Sequence, residues 1–295
     1  MFSKLLKRRP QVTAPASPAV PDDMVVWAVG DIHGRLDLLV PLIEAITTDL
    51  DAATASNKLV VFLGDYVDRG SDSRGVVRLL ADLPADTGVE WHFLKGNHEE
   101  TMVKFLTDPT VGAQWCEYGG EATLRSYGLR VPDLRHRIGA WARLSADLAH
   151  KLTPRERAFL EEQELSLSLG DYFFAHAGAR PGEPLDRQSP ADLMWIRRSF
   201  LDSPVEFEQV VVHGHTPTAE VHVDRRRIGI DTRAYDSGIL TALRLSGRER
   251  LILQAIGPKA ADPSAPDGRP DPGQPSEVTI RTAALPLAGD LLVID

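Results

Sequence analysis

Acids and imidazoles recur directly behind glycines in this chain, at spacings that suit a metal centre. Gly30-Asp31-Ile32-His33-Gly34 sets a carboxylate and a ring two residues apart. Gly64-Asp65-Tyr66-Val67-Asp68-Arg69-Gly70 adds two carboxylates and a guanidinium, and Gly96-Asn97-His98-Glu99 adds an amide oxygen and another ring. Two later clusters, Phe174-Ala175-His176-Ala177-Gly178 and His213-Gly214-His215-Thr216-Pro217, bring more imidazoles. On extended backbone alternate side chains point the same way, so Asp31 and His33 can converge on one ion while the glycines allow tight turns. Taken singly, each motif has an ordinary reading: Asp as a turn former, Asn97 as a helix cap, a lone structural histidine. Taken together, five of the nine histidines lie in such motifs beside Asp and Asn. A binuclear centre needs oxygen and nitrogen ligands delivered from several loops.

Those loops need strands to hold them. Residues 24–29, 59–63 and 89–94 read as apolar strands, and 36–50 and 76–83 have helical spacing. Alternating strands and helices imply βαβ units and a largely parallel sheet, with the chemistry at the carboxyl ends of its strands. From 112 to 165 the spacing of Trp115, Leu124, Leu129, Ile138, Trp141, Leu144, Leu148 and Leu152 is helical, with breaks at Pro132 and Pro154, and predicts a helical cap. Runs at 172–175, 210–212, 220–223, 227–230, 239–245 and 250–255, with turn residues between them, predict a second sheet of antiparallel hairpins. The expected fold is α/β (α+β): two mixed sheets packed as a sandwich and flanked by helices.

The remaining chain adds little chemistry. Residues 1–22 lack periodicity and read as a flexible arm before a domain at 23–256; 257–277 is a Pro-rich linker, and 278–295 a tail that could add an edge strand. No apolar run reaches the ~20 residues that span a bilayer, and the basic start has no apolar leader, so a cytoplasmic protein without a membrane span is expected. The net charge of -9 disfavours nonspecific binding to nucleic acid. Cys116, the single cysteine, excludes an intramolecular disulfide and reads as a structural thiol.

The first three motifs resemble those of the metallophosphoesterase (calcineurin-like) superfamily, and within it the bacterial phosphoprotein phosphatase branch, over about 24–255. The resemblance implies two divalent metal ions, Mn2+ first and Fe or Zn as alternatives. Asp31, His33 and Asp65 would hold one, and Asp65 would bridge to a second held by Asn97, His176 and His215. It also implies His98 as general acid with Asp68 as its partner, and Arg69 and Arg197 as phosphate ligands. Two such ions would acidify a shared water, and the hydroxide would attack phosphorus in line. The chain departs from the family where His-Gly-Gly becomes His176-Ala177-Gly178 and where two histidines, His213 and His215, compete for the last position. His213 is expected behind the ligands, Lys95 at a solvated strand end, and Asp231 and Tyr235 in a closing loop.

The function so implied is a phosphomonoesterase acting on phosphoserine or phosphothreonine proteins and on small aryl phosphates. Symmetrical diadenosine tetraphosphate hydrolysis is the enzymatic alternative; its bacterial enzymes share the motifs but more often carry Asn-His-Asp where this chain has Asn97-His98-Glu99. A non-catalytic metal-binding scaffold would require a missing ligand or acid, and each of those positions is filled.

Overall fold

The computed structural model describes residues 15–84, 88–131, 138–259 and 277–286. The chain runs β1 (Met24–Val29), α1 (Leu36–Ala52), β2 (Asn57–Phe62), α2 (Ser73–Ala81), β3 (Val89–Phe93) and α3 (Asn97–Phe105). The short helices α4 (Gly112–Trp115) and α5 (Glu121–Ser126) flank a π turn at Cys116–Gly120, and α6 (Ile138–Lys151) and α7 (Pro154–Glu161) follow. Then come β4 (Ser166–Leu169), β5 (Tyr172–Ala175), α8 (Pro190–Trp195), α9 (Arg198–Leu201), β6 (Val210–His213), β7 (His222–Val223), β8 (Arg227–Gly229), α10 (Ala234–Ser237), β9 (Ile239–Ser246), β10 (Glu249–Ile256) and β11 (Thr279–Ala284).

Two sheets are stacked. One has the order β11-β10-β9-β1-β2-β3 and the other β4-β5-β6-β8-β7. β1 to β3 pair in parallel, as their apolar runs and helical crossovers predict. Strand β1 is buried on both faces: Val25, Trp27 and Val29 enter the core shared with α1 to α3, and Val26 and Ala28 enter the core between the sheets. A third cluster, around Phe173, Leu193 and Phe200, lies under α8 and α9 on the far side of the second sheet. Among the described residues no helix is long and apolar enough to cross a membrane.

Three expectations need correction. The runs at 239–245 and 250–255 do form a hairpin, but they extend the first sheet, because β9 pairs antiparallel with the open edge of β1 and buries Leu240 and Ala242 on one face and Leu243 and Leu245 on the other. Within the second sheet β5, β6 and β8 are parallel. The long connection through α8 and α9 allows that direction between β5 and β6, whereas a tight hairpin would not. Residues 18–20 are not a free arm: Val20 is buried and its N–H donates to Gly247 O at 3.0 Å, Ala19 N–H donates to Asp171 Oδ2 at 2.9 Å, and Pro18 O accepts from the Tyr172 hydroxyl. The helices expected as a cap lie within 112–161. Leu124, Leu144, Leu148, Leu152 and Leu160 share one core with α1 to α3, and the π turn is the part that reaches toward Arg69. In the tail, β11 adds an edge strand beside β10. The first 14 residues, Pro132, most of the Pro-rich linker and 291–294 lie outside the described residues.

Candidate metal centre

Each strand of the central region delivers its motif at the same end. Asp31 and His33 follow β1, Asp65, Asp68 and Arg69 follow β2, Asn97 and His98 open α3 just after β3, His176 follows β5, and His215 follows β6. All of these except Arg69 are buried. The loops hold strained backbone: His33, Asp65, Asp68, Arg69 and His215 have φ of 46°, 53°, 74°, 69° and 62°. Left-handed non-glycine residues cost free energy and persist where the surroundings over-determine them. Gly96 and Gly214 show how close the packing is, since a Cβ would stand 2.2 Å from Asp65 Oδ1 at the first and 1.9 Å from Asp31 Oδ1 at the second.

Asp65 is the hub. Its Oδ2 lies 3.5 Å from His33 Nε2 and 3.8 Å from His98 Nε2; its Oδ1 lies 3.3 Å from His176 Nε2 and accepts the His98 N–H at 3.2 Å. His176 Nε2 lies 3.0 Å from Asn97 Oδ1 and 3.2 Å from His215 Nδ1. Asp31 accepts the His215 N–H with both oxygens, at 2.9 and 3.1 Å. Two donor groups meet the distance requirement for one ion each, His33 with Asp65 and His98, and Asp65 with His176 and His215.

Tautomers show that lone pairs converge. His33 Nδ1 donates to Val67 O and His176 Nδ1 donates to Leu63 O, each at 2.8 Å, so both Nε2 atoms are free to act as acceptors. His176 Nε2 then faces the Asn97 carbonyl oxygen, and the buried His215 Nε2 has no hydrogen-bond partner among the described residues. Cations satisfy such an arrangement, and the N/O set suits a transition-metal pair.

The electrostatics follow from burial and crowding. Burial works to raise the Asp65 pKa, but His176, His98, His33 and His215 outweigh it and hold the carboxyl well below the usual range. Burial, with Asp231 and Asp65 nearby, pushes Asp31 up. Burial lowers His33 and His176 and takes His215 down to about 2 and His213 to about 3, so these rings are neutral. His98 is different. Burial lowers it, but Asp65 and Asp68 together raise it above an ordinary imidazole.

The His98 pairing is direct: Nδ1 to Asp68 Oδ2 is 2.6 Å. Asp68 is gripped in turn by Trp115 Nε1 at 2.8 Å and Thr123 Oγ1 at 2.6 Å, and its N–H donates to Ser73 Oγ and Thr123 Oγ1. Arg69 donates to His33 Nε2 at 3.1 Å and His98 Nε2 at 3.2 Å, under the ring of Tyr235, whose centroid is 4.6 Å from Cζ. Arg197 is exposed beside α9, and its charge reaches His176 and His215. Lys95 points away and donates to Glu161 O. His213 turns both nitrogens away from Asp65, toward Gly214 O and Arg227. Asp231 is buried against Asp31, its carboxyl pushed up to about 6 chiefly by burial.

Sequence reasoning missed four supports. Glu99 accepts the N–H groups of Asp65, Tyr66, Val67 and Gly96 and so shapes the Asp65 loop. Trp115 reads only as a buried helical position, Thr123 is not singled out at all, and Arg35, buried behind the first motif, donates to Ala234 O beside Tyr235. Glu99 had a legible signal, as an acid inside a glycine-bounded motif; the other three had none.

The calcineurin-like phosphoesterase family model matches residues 24–240, and the chain belongs to that family. It is a phosphoesterase by family, in a fold that carries a divalent metal pair. Among curated proteins it is similar to the asymmetrical bis(5'-nucleosyl)-tetraphosphatase PrpE of Oceanobacillus iheyensis, 24% identical over 81% of this chain and 96% of the relative. It is similar to the symmetrical bis(5'-nucleosyl)-tetraphosphatase of Xanthomonas euvesicatoria, 26% identical over 82% and 87%. Similarity to the serine/threonine-protein phosphatase BSL2 of Arabidopsis thaliana is 30% but spans 42% of this chain and 12% of that one.

Proposed function

We propose that this chain is a binuclear-metal-dependent phosphomonoesterase that dephosphorylates phosphoserine and phosphothreonine proteins. The observation that carries the reading is the placement of Asp65 between two N/O donor groups, with the His98–Asp68 pair and Arg69 at the same opening. Asp31, His33 and Asp65 would hold one ion, and Asp65, Asn97, His176 and His215 the other, with Mn2+ as the first choice and Fe or Zn as alternatives. When bound, the ions supply positive charge for the phosphoryl oxygens and acidify water.

The protein groups do the rest. Arg69 offers a planar pair of donors to nonbridging oxygens, with Arg197 at the rim as a second cation. Arg69 has donors only, so its contact with His98 Nε2 requires a lone pair there. A phosphate that draws the guanidinium away would let Nε2 take up a proton, and Asp68 at Nδ1 stabilises the resulting imidazolium. That proton then goes to the departing alkoxide.

A second reading, hydrolysis of dinucleoside tetraphosphates, is favoured by the relatives of that name, which align with about four-fifths of the chain. Manganese-loaded protein offered a phosphoserine peptide, diadenosine tetraphosphate and p-nitrophenyl phosphate separates the two by the ratio of kcat/KM. Preference for the peptide is expected. Preference for the dinucleotide would transfer the reading to the second class, and no turnover of any of the three would end it.

A further inference from the structure

His213 closes β6 two residues before His215, and both of its ring nitrogens are engaged. Arg227 can only donate, so its 3.1 Å contact makes His213 Nε2 an acceptor and leaves the proton on Nδ1, which donates to Gly214 O at 2.9 Å. The same carbonyl accepts Thr216 N–H at 2.7 Å, while Gly214 N–H donates to His176 O at 2.8 Å. One peptide on, His215 N–H donates to both oxygens of Asp31. The Gly214 peptide is thus tied to the loops of His176, Asp31 and His215 together.

This turn needs holding. His215 sits at φ 62°, and Gly214 has no room for a Cβ beside Asp31. The His213 ring is wedged edge-on against Phe200, with centroids 5.2 Å apart, and Gly229 on the paired strand lies so close that a Cβ there would stand 3.1 Å from Cε1 and Nε2. Arg227 is buried too, and the Asp224 carboxylate near its Nε accepts the N–H of Arg226 and Arg227.

We propose that His213, oriented by Arg227, is a positioning residue: a fixed N–H donor that sets the Gly214 carbonyl and thereby the left-handed His215 and the Asp31 carboxylate, one residue from each proposed metal position. The proposal rests on the two-metal reading. Partners behind metal ligands typically change affinity 10–100-fold when removed.

The test measures Mn2+ binding by titration calorimetry, with melting temperature recorded alongside, for wild type, His213→Asn, His213→Leu and Arg227→Met. Asn places an N–H close to the Nδ1 position; Leu fills space without one. His213→Leu is expected to weaken Mn2+ binding at least tenfold, His213→Asn to restore most of it, and Arg227→Met to fall between, because the ring keeps its donor but loses its orienting partner. Equal Mn2+ affinity in His213→Leu and wild type, or equal losses in Asn and Leu, would overturn the proposal and leave His213 as packing. Should His213→Leu not fold, the Asn and Arg227→Met arms decide: wild-type affinity in Arg227→Met overturns it. Wild type that binds no Mn2+ would instead refute the metal reading beneath it.

Discussion

His98 Nδ1 and Asp68 Oδ2 are 2.6 Å apart, and that same oxygen accepts the Trp115 indole N–H at 2.8 Å. The carboxylate is held from the far side, so the imidazole has a fixed partner and a fixed tautomer. His98→Asn should therefore keep its metal ions yet lose activity by about 10²–10⁴-fold on alkyl phosphates, which need a proton on the leaving group. It should lose far less on p-nitrophenyl phosphate. Equal losses on both substrates would remove His98 from the acid role.

The raised pKa of His98 gives this a pH signature. The acid works while protonated, so kcat/KM for an alkyl phosphate should fall as pH rises through the His98 pKa, at a pH above that of a free imidazole. Asp68→Asn removes one of the two charges that raise it and should move this alkaline limb to lower pH. A limb that stays in place, measured by rate profiles from pH 5 to 10, would show that another group titrates.

The centre rests on Asp65, which has His33 and His98 nitrogens on one oxygen's side and His176 on the other's. Asp65→Asn removes one of two carboxylates from the first position and the sole carboxylate from the second, so metal analysis after gel filtration should find both ions reduced, not one. Chelation should abolish turnover by the wild type and Mn2+ should restore it. Full activity in the presence of excess chelator would contradict the metal reading.

Which parts of this arrangement were legible depended on distance along the chain. The strand-Gly-Asp motifs are contiguous, so Asp31, Asp65, Asn97 and His98 announce themselves, and parallel β1 to β3 follow from the alternating helices. Trp115 and Thr123 reach Asp68 across 47 and 55 positions, and Arg35 reaches Ala234 across 199, so nothing local marks them as partners. A Trp at helical spacing reads as core, which Trp115 also is. The β9–β10 hairpin was readable from its turn, but its choice of sheet was not, because strands buried on both faces carry no pattern that says which open edge they join.

Glu99 is the support whose loss should be felt as stability. It is fully buried, and its two oxygens accept four backbone N–H groups, at 2.7 to 3.1 Å. Glu99→Ala strands those donors, at about 1–3 kcal/mol for each that finds no water. A loss of several kcal/mol in urea unfolding is expected, together with weakened metal binding through the Asp65 loop. Unfolding free energy within about 0.5 kcal/mol of wild type would mean that the loop holds itself.

The final prediction concerns residues 18–20. Val20 is 3% exposed in the core between the sheets, where it packs with Leu245 and Tyr172 in one cluster. Burial of a valine side chain contributes about 1.5–3 kcal/mol, and a hydrogen bond about 0.5–1.5 kcal/mol. The segment also makes the Val20–Gly247, Ala19–Asp171 and Pro18–Tyr172 bonds, so a chain starting at Pro21 should be less stable by about 3–7.5 kcal/mol, reduced by whatever water repairs. Val20→Ala in the full chain isolates the packing part and should cost about 1–2 kcal/mol, below the 2–5 typical of larger core truncations because less volume is removed. A truncation that melts with the full chain would show that these contacts add nothing net. A truncation that loses stability but keeps its activity per folded molecule would fit the geometry, because Tyr172 begins the strand β5 whose opposite end delivers His176.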